Sequence, residues 1–376
     1  MQDLHNNDSR PVWAEIDLDA IAYNLVQVKS LTKAMVMAIV KANAYGHGVF
    51  PVAKKLLEVG ADRLGVATLG EALELRQRGI TAPIMILGFT PEHAAKYVVE
   101  NDIIQTIFSK RQAQVLSDVA RDQSKQAIVH LKIDSGMNRI GFDCNKPEDI
   151  LAIRDLPGLS IEGAFTHFAV ADITDKSFTL QQLARFKSCV EYLESKGMHI
   201  ALKHAANSAA IIDLPEAHLD MVRPGIMLYG LAPSQEVDLT RVTLKPAMAL
   251  KARIAMIKTI MPGATVSYGR KYEAKREITV ATLPLGYADG YSRVLSHKVF
   301  ALLKGKRVPV IGSICMDQCM LDVSDVLDAK EGDEVILFGS AEGQSVPVEE
   351  LADIMGTINY EIVCMIGARV PRVYPQ

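Results

Sequence analysis

Residues 34–230 alternate between short apolar runs and segments in which apolar residues recur at helical spacing. Apolar runs without polar alternation are typical of strands buried on both faces, as in parallel sheets. About eight such strand–helix repeats predict an α/β barrel of the TIM type with eight parallel strands, with an open doubly wound sheet as the alternative. The predicted strands cover residues 34–40, 63–68, 83–88, 102–108, 127–133, 160–166, 199–204 and 221–230, although Pro224 is unfavourable in a central strand.

The segments between these runs carry the end signals of helices. Pro51 suits a first helical turn, and Gly60 and Gly79 suit the position just after a helix. The longest helical pattern extends over residues 177–197. These signals support a strand–helix repeat over this part of the chain.

The pattern changes after Leu231. Residues 232–246 are polar and contain prolines, as is typical of a connection between domains. Beyond them, short strand-like runs separated by Gly, Pro and Asp predict a β-rich domain, with one helical segment at residues 346–357.

An early segment, residues 12–18, alternates apolar and polar residues as a strand with one buried face does. We predict that this strand precedes the barrel and joins the β-rich domain, and that Asp19 caps the helix that follows. The predicted domains are therefore a barrel at residues 15–237 and a β-rich domain formed by residues 1–14 and 238–376.

Length and composition indicate an ordinary globular protein. The 376 residues are enough for two domains, and a net charge of −3 gives no reason to expect a nucleic-acid or membrane partner. The polar amino-terminal sequence lacks the apolar centre of a signal peptide, so we expect a cytoplasmic protein. The five cysteines form no Cys-x-x-Cys pair, and we expect them to be reduced.

A lysine ends the first apolar run. Seven apolar residues lead directly into Lys41, and Tyr45 follows in a short turn with two glycines. Lysine is rarely buried unless its charge is paired or used, and α/β folds keep their active sites at the carboxyl ends of parallel strands. Lys41 is therefore a candidate for a catalytic or cofactor-bearing amine. The alternative is a side chain that reaches from the strand end to water.

The loops after the other barrel strands would converge on the same face. They carry arginines, a histidine and hydroxyl groups, which describe a site for an anionic ligand, and the positions after strands seven and eight often hold phosphate. A lysine beside a phosphate pocket and a basic rim indicates a phosphorylated aldehyde held as a Schiff base, for which pyridoxal 5'-phosphate is the obvious candidate. The residues are Lys132, Asp134, Arg139, His167, Asn207, Ser208, Arg223 and Gly225.

Each of these residues also has a purely structural interpretation. Arg139 could be a solvated loop residue, and His167 a structural hydrogen-bond donor. Arg223 could close the barrel through a salt bridge, and Lys132 could pair with Asp134.

Nine motifs occur in the order known from one enzyme family and cover nearly the whole chain. They are AIVKANAYGHG, LKIDSGMNRIGF, THFAVAD, HAANSAA, VRPGIMLYG, VSYGRKY, LPLGYADGY, GSICMDQ and INYEIVCMIGARVPR. In these motifs the sequence resembles the bacterial alanine racemases, which are pyridoxal-phosphate-dependent enzymes of fold type III.

The resemblance implies that Lys41 binds pyridoxal phosphate covalently and acts as one of two acid/base groups, with Tyr268 as the other. Racemisation must remove a proton from one face of a planar carbanion and return one to the opposite face, so two bases are the direct solution. Tyr268, with Met316 and Asp317, would reach the site from the partner subunit of a homodimer. Without the resemblance, Tyr268 would be interpreted as a ring packed in the β-rich domain.

The resemblance also implies roles for the remaining candidates. Arg223 would face the pyridine nitrogen of the cofactor with His167 behind it, and Arg139 would lie near the phenolic oxygen and the substrate carboxylate. Lys132 matches a lysine that is carbamylated in many members and braces that arginine. The other implied cofactor-binding residues, chiefly around the phosphate, are Tyr45, Asn207, Ser208, Gly225, Ile226 and Tyr360.

The implied function is the interconversion of L-alanine and D-alanine, which supplies D-alanine for peptidoglycan, with no metal. A related racemase for serine or for several amino acids is the first alternative. An amino-acid decarboxylase of the barrel-plus-β type and a non-catalytic pyridoxal-phosphate carrier are less well matched, because the former would not need Tyr268 and the latter is a barrel alone.

Overall fold

The computed structural model describes residues 10–375, so residues 1–9 of the segment predicted for the β-rich domain lie outside the described residues. The chain forms two compact units. The barrel unit consists of Asp19–Ala44 and Val49–Lys245. The β-rich unit consists of the segment that ends at Leu18, of Tyr45–Gly48 and of the segment that begins at Pro246.

Eight parallel strands form the barrel, which confirms the predicted TIM-type fold, and a further short strand, Phe142–Asp143, pairs with the fifth to make a nine-stranded sheet. The eighth strand pairs with the first, and two backbone hydrogen bonds of 3.0 Å link the seventh to the eighth, from Asp220 N–H to Lys203 O and from Arg223 N–H to Ala206 O. In chain order the strands are Met35–Ile39, Arg63–Val66, Ile84–Ile86, Ile104–Ile107, Ala127–Asp134, Leu159–Phe165, Leu202–His204 and Met221–Val222.

The eighth strand is much shorter than predicted. It ends at Val222, so the prediction of a strand over residues 221–230 is wrong beyond that residue. Pro224 has no N–H to donate to a neighbouring strand, and the chain turns into the buried 3₁₀ helix Ile226–Tyr229. This turn places Gly225 three residues after the strand end, immediately before the 3₁₀ helix.

Two helices of the barrel unit show the predicted start and end signals. Pro51 lies in the first turn of the helix Val49–Glu58, and Gly60 follows that helix with a φ of 98°. Gly79 follows the helix Leu69–Gln77 with a φ of 87°. Glycine adopts this left-handed conformation without a steric penalty, which explains both helix ends.

The predicted helix cap at Asp19 is wrong. The helix already begins at Leu18, and Asp19 Oδ1 instead accepts a hydrogen bond from Lys55 Nζ at 2.6 Å. The helices of this part of the chain are Leu18–Leu31, Val49–Glu58, Leu69–Gln77, Ala95–Glu100, Lys110–Asp122, Glu148–Leu151, Ser177–Ser195 and Ser208–Asp213.

The fifth barrel strand, Ala127–Asp134, carries polar residues on one of its two faces. Successive side chains of a strand point to opposite sides. Every second residue from Ala127 to Ile133 is apolar and buried, whereas His130 and Lys132 share the opposite face and are buried as well. Because burying a titratable group without a partner is costly, we expect His130 and Lys132 to have polar or charged partners on this face.

The β-rich unit contains a ten-stranded sheet. The alternating segment near the amino terminus forms the strand Val12–Ile16, which pairs antiparallel with Met248–Arg253. In spatial order the main path of the sheet is Met256–Ile260, Ile278–Leu283, Cys319–Asp322, Lys306–Ile311, Phe300–Leu303, Glu334–Ala341, Met248–Arg253, Val12–Ile16 and Arg372–Val373, and Gln344–Val346 pairs beside Glu334–Ala341.

A separate hairpin of Thr265–Val266 and Tyr272–Glu273 brackets Tyr268. The helical segment predicted at residues 346–357 is present as Val348–Met355, and a second helix, Asn359–Met365, follows it. All five cysteines have free thiols, as expected. Within residues 10–375 no helix is both long and apolar enough to cross a membrane.

Candidate active site

Lys41 begins a turn of left-handed backbone at the end of the first barrel strand. Ala42, Asn43 and Ala44 have φ values of 53°, 53° and 54°, and Ala44 N–H donates to Val40 O at 2.9 Å. Left-handed backbone costs about 1–2 kcal/mol per non-glycine residue, and such strain is concentrated at functional sites. The half-buried Lys41 therefore lies on a backbone that the surrounding structure must hold in place.

Glu71 and Asn43 hold this turn. Glu71 Oε1 accepts a hydrogen bond from Ala42 N–H at 2.6 Å, while Oε2 accepts from Ala67 N–H at 2.8 Å and from Thr68 N–H at 3.1 Å. Asn43 Oδ1 accepts from the first N–H of the next helix at 2.7 Å. Sequence analysis missed Glu71, although the Thr-x-x-Glu spacing from Thr68 is the signature of a capping box.

Arg223 is almost completely buried at the carboxyl end of the barrel, with 4% of its surface exposed. Its Nη1 donates to His204 Nδ1 at 2.9 Å, and its Nη2 donates to Thr166 O at 2.8 Å, Ala205 O at 2.9 Å and His167 Nδ1 at 3.2 Å. All these partners are neutral groups, so the salt-bridge interpretation is wrong. Burial lowers the pKa of Arg223 to about 9, which leaves the guanidinium charged at neutral pH.

Lys132 lies beside Arg223. Its side chain is 2% exposed, and its Nζ and the Arg223 Cζ each lie 5.3 Å from the centroid of the Phe165 ring. Burial, followed by the charges of Arg223 and Arg139, lowers the pKa of Lys132 to about 7. A considerable fraction of this amine is therefore neutral, and hence nucleophilic, at physiological pH.

The loop that carries Arg139 is wrapped around the carboxylate of Asp134. Asp134 Oδ1 accepts hydrogen bonds from the backbone N–H groups of Gly136, Met137 and Asn138, at 2.9–3.1 Å. Three N–H donors on one oxygen fix the loop without requiring a charge pair with Lys132. Arg139 itself is exposed.

A group of hydrogen-bond donors converges after strands seven and eight. The buried Ser208 Oγ accepts from Gly225 N–H at 2.9 Å and from Met227 N–H at 3.4 Å, which leaves its own O–H free to donate elsewhere. Asn207 Oδ1 caps the helix Ser208–Asp213 by accepting from Ala210 N–H at 3.1 Å. The remaining O–H donor of the buried Ser208 suits an anionic group such as phosphate.

Tyr45 and Tyr360 lie in the β-rich unit, where their rings pack with centroids 6.1 Å apart. Burial raises the pKa of Tyr45, so its phenol stays protonated and can donate. Arg372 Nε donates to Gly46 O at 2.8 Å and anchors the backbone next to Tyr45.

Tyr268 is not packed in a core, because 68% of its surface is exposed. It lies in a turn in which Ser267 and Gly269 have φ values of 66° and 74°. Ser267 Oγ donates to Ser313 O at 2.6 Å, and Ser313 Oγ donates to Tyr268 O at 3.1 Å. The turn thus presents the phenol outward on a fixed backbone.

Met316 and Asp317 occupy a second turn of the β-rich unit. Tyr287 N–H donates to Cys315 O at 3.0 Å, and Ala288 N–H donates to Met316 O at 3.1 Å. Met316 is 53% exposed, and Asp317 Oδ1 accepts from Arg369 Nη2 at 2.6 Å. The turn is therefore held by its backbone and leaves both side chains accessible.

The structure places the candidates in two groups. One group lies around His167 in the barrel unit. Burial is the main reason why the pKa of the His167 ring lies well below its usual value, and nearby positive charges lower it further. These charges are those of Arg223, Arg139, Lys132 and Lys41. Within residues 10–375 no group of three or more His, Cys, Asp or Glu side chains could hold a metal ion. The barrel unit also holds Asn207, Ser208, Gly225 and Ile226, and the β-rich unit holds Tyr45, Tyr268, Met316, Asp317 and Tyr360.

Comparison with known proteins identifies the family. Residues 16–233 match the family model described as "Alanine racemase, N-terminal domain", and residues 247–374 match "Alanine racemase, C-terminal domain". This chain belongs to the alanine racemase family. An alanine racemase of Desulfovibrio desulfuricans is 52% identical over 97% of this chain and 98% of its own length.

Solved structures of the alanine racemase family have the same fold. Alanine racemase of Clostridium difficile 630 superposes with a TM-score of 0.93 at 45% identity and covers 97% of this chain and 96% of its own. A histidine racemase of Leuconostoc mesenteroides superposes with a TM-score of 0.92 at 30% identity and covers 99% of this chain and 100% of its own. The fold is therefore shared by racemases named for different amino acids.

Sequence analysis missed four polar residues that lie behind Arg223. They are Arg63, His130, Glu162 and His204, all on barrel strands. The one available signal was a polar residue at alternate positions of an otherwise apolar strand, as in His130 and Lys132. That signal identifies a strand face but not the partners on other strands.

Proposed function

We propose that this protein is an isomerase that interconverts L-alanine and D-alanine and so supplies D-alanine for peptidoglycan. The observation that carries the proposal is 52% identity, over nearly the full length of both chains, to a protein named alanine racemase. Solved relatives bound to L-Ala-P and to cycloserine are consistent with an alanine-sized ligand in this family.

The cofactor of the proposed reaction is pyridoxal 5'-phosphate. When bound, it supplies an electron sink for the negative charge left on the substrate α-carbon. The residues fit this group, because the buried Ser208 hydroxyl keeps its O–H to donate to a phosphate, and the buried, charged Arg223 suits a ring acceptor. The cofactor-binding residues are Lys41, Tyr45, Arg139, His167, Asn207, Ser208, Arg223, Gly225, Ile226 and Tyr360.

Lys41 and Tyr268 exchange the α-proton with opposite faces of the substrate. A proton leaves from one face to one of these groups, and the other group returns a proton to the opposite face. Arg139, Met316 and Asp317 bind the substrate, with Arg139 opposite its carboxylate. Arg223 donates toward the pyridine nitrogen and, because a guanidinium stays charged, disfavours a proton there.

Lys132 is proposed to carry a carbamate. Its pKa of about 7 leaves neutral amine to attack carbon dioxide: a bond forms between Nζ and the carbon, and one proton is released. The product is an anion beside two cationic arginines, which its charge would help to balance. Mass spectrometry under native conditions should detect one added carbon dioxide, and the variant Lys132→Ala should lack it.

Tyr268, Met316 and Asp317 are proposed to act in the site of a partner subunit in a homodimer. Support comes from the exposure of Tyr268 and Met316, which are large and partly apolar. Mixing the inactive variants Lys41→Ala and Tyr268→Ala should restore up to about a quarter of the activity, because half of the dimers would be mixed and each would have one intact site. Mixtures that stay inactive would contradict a shared site.

A circular-dichroism assay tests the function. With the purified holoenzyme, the signal of L-alanine should decay to zero, and that of D-alanine should do the same. Loss of carbon dioxide from the substrate would indicate a decarboxylase, and cofactor binding without turnover would indicate a carrier. Serine and histidine should be assayed beside alanine, because a histidine racemase of Leuconostoc mesenteroides is 30% identical to this chain. The cytoplasmic location remains a prediction of the sequence, to be tested by cell fractionation.

A further inference from the structure

A chain of hydrogen bonds crosses the barrel behind Arg223. Arg223 Nη1 lies 2.9 Å from His204 Nδ1, His204 Nε2 lies 2.8 Å from His130 Nδ1, and His130 Nε2 lies 2.8 Å from Glu162 Oε2. Arg63 donates to both oxygens of the same carboxylate, from Nη1 to Oε2 at 2.5 Å and from Nη2 to Oε1 at 3.0 Å. We call the chain of Arg223, His204, His130 and Glu162 the histidine relay.

The two rings of the relay are buried and closely packed. His130 and His204 are 0% exposed, and the Phe165 ring stacks on His204 with centroids 4.8 Å apart and planes 6° from parallel. A Cβ at Gly163 would lie 2.6 Å from His130 Cε1, so only glycine fits beneath that ring. Such close packing makes each nitrogen of the relay face one defined partner.

The direction of every hydrogen bond in the relay follows from the chemistry of its ends. A guanidinium has donors only, so His204 Nδ1 must accept and its proton must be on Nε2. His204 Nε2–H then donates to His130 Nδ1, and the proton of His130 must be on Nε2. A carboxylate has acceptors only, so it completes the same direction at Glu162.

We propose that Glu162 is a positioning residue that fixes the tautomers of His130 and His204 and thereby holds Arg223 in its orientation toward the active site. The inference rests on the proposed function for its catalytic consequence, whereas the tautomers themselves do not depend on it. Glu162 touches neither Arg223 nor the reacting groups and acts only through the two rings.

The charge distribution supports this role. Although burial raises the pKa of Glu162, hydrogen bonds from His130 and Arg63 lower it to about 2, so the carboxylate stays ionised. Burial lowers the pKa of both histidine rings, which therefore stay neutral and carry a single proton each. A neutral imidazole has two tautomers, and the two ends of the relay, the donor Arg223 and the acceptor Glu162, both select the Nε2–H form.

The variant Glu162→Gln removes the part of this selection that the acceptor provides. A glutamine amide can donate as well as accept, so the relay can also run in reverse, from the amide to His130 and on to His204. In reverse, His204 would present Nδ1–H to the N–H of Arg223, and two donors would face each other. Arg223 would then lose its hydrogen bond and its orientation.

Nuclear magnetic resonance of the holoenzyme labelled with ¹⁵N-histidine tests the proposal, because the ring spectra show which nitrogen carries the proton. Substitutions of single histidines assign the signals. In the unsubstituted protein, both His130 and His204 should be Nε2–H tautomers, and Nδ1–H on either ring would overturn the proposal even if Glu162→Gln failed to fold. In Glu162→Gln, Nδ1–H should appear on His130, and unchanged tautomers would overturn it.

Two control variants separate positioning from general stability. Arg63→Gln removes the ion pair but keeps the carboxylate acceptor, so its tautomers should match those of the unsubstituted protein. Glu191→Gln removes an exposed carboxylate from the helix Ser177–Ser195 and should change neither spectrum nor activity.

In Glu162→Gln, kcat for alanine should fall about tenfold in both directions with little change in KM. The predicted tautomers in a protein without racemase activity would refute the proposed function and leave the relay intact.

Discussion

Tyr268 differs from a structural tyrosine in that its ring is exposed while its backbone is held by Ser267 and Ser313. A side chain displayed in this way by a strained turn is available to another molecule. At the scale of single residues, the proposed chemistry therefore depends on where a few functional atoms are held, and substitution can test each one.

Tyr268→Phe removes only the phenolic oxygen. Racemisation should fall by about 100-fold or more, because one face of the substrate loses its proton-transfer group. In deuterated water, exchange of the α-proton should persist for the one enantiomer whose proton faces Lys41 and should be lost for the other. Tyr97→Phe, at an exposed position of the helix Ala95–Glu100, should keep full activity, and undiminished exchange of both enantiomers in Tyr268→Phe would refute the two-base assignment.

At the scale of elements, the left-handed turn after the first barrel strand depends on Glu71. The Glu71 carboxylate accepts from a backbone N–H of that turn and from two backbone N–H groups at the start of its own helix, Leu69–Gln77. Strain in the turn is tolerated because these contacts over-determine it. The position of Lys41 is thus a property of two elements together.

Glu71→Gln should weaken both contacts, because an amide turns one N–H₂ group toward backbone N–H donors. We expect a loss of about 1–2 kcal/mol of stability in urea unfolding and a lower kcat. Glu74→Gln, on the exposed side of the same helix, should change stability by less than about 0.5 kcal/mol. Equal effects of both substitutions would contradict a specific role for Glu71.

The turn of Met316 and Asp317 depends on a close backbone approach at Gly286. A Cβ at this position would overlap the carbonyl groups of Cys315 and Met316. Gly286→Ala should therefore cost about 1–3 kcal/mol and reduce activity by displacing this turn, as measured by thermal unfolding and the racemase assay. Gly70→Ala, where a Cβ meets nothing within 4 Å, serves as the matched control and should be neutral or stabilising.

At the scale of the whole molecule, the buried histidines couple folding to pH. Burial lowers the pKa of His130 and, with Arg223, that of His204 in the folded state. A group whose folded pKa is lowered contributes stability that is present above its unfolded pKa and lost as the pH falls. In the unfolded chain, His130 and His204 take up protons below about pH 6.5, whereas in the folded protein their buried rings do not.

The free energy of unfolding should therefore fall as the pH drops from 6.5 toward 5, by up to about 1.4 kcal/mol per pH unit for each buried histidine with a lowered pKa, which include His130, His204 and His167. Urea unfolding at several pH values measures this slope. His130→Gln should reduce it, whereas His199→Gln, at an exposed position, should not. Glu162, with a pKa of about 2, should cause a further loss of unfolding free energy only below about pH 4.5.

The local pattern was sufficient to predict the barrel, because a continuous apolar run such as residues 34–40 is by itself typical of a buried parallel strand. The same reasoning identified Lys41 at a strand end. The motif order then indicated the family and named the remaining candidates. The local pattern failed at residues 223–230, where the predicted strand does not continue past Pro224 and a buried 3₁₀ helix takes its place.

The sequence by itself determined the strand–helix alternation, the lysine at a strand end and the motifs of the family, since each is written in neighbouring residues. Only the tertiary structure decided what lies behind Arg223. Arg63, His130, Glu162 and His204 are on four different strands, and periodicity tells which face each occupies but not which other residue it meets. Their hydrogen bonds exist only when the sheet curves to bring these strands together, so contact there is a consequence of the closed barrel.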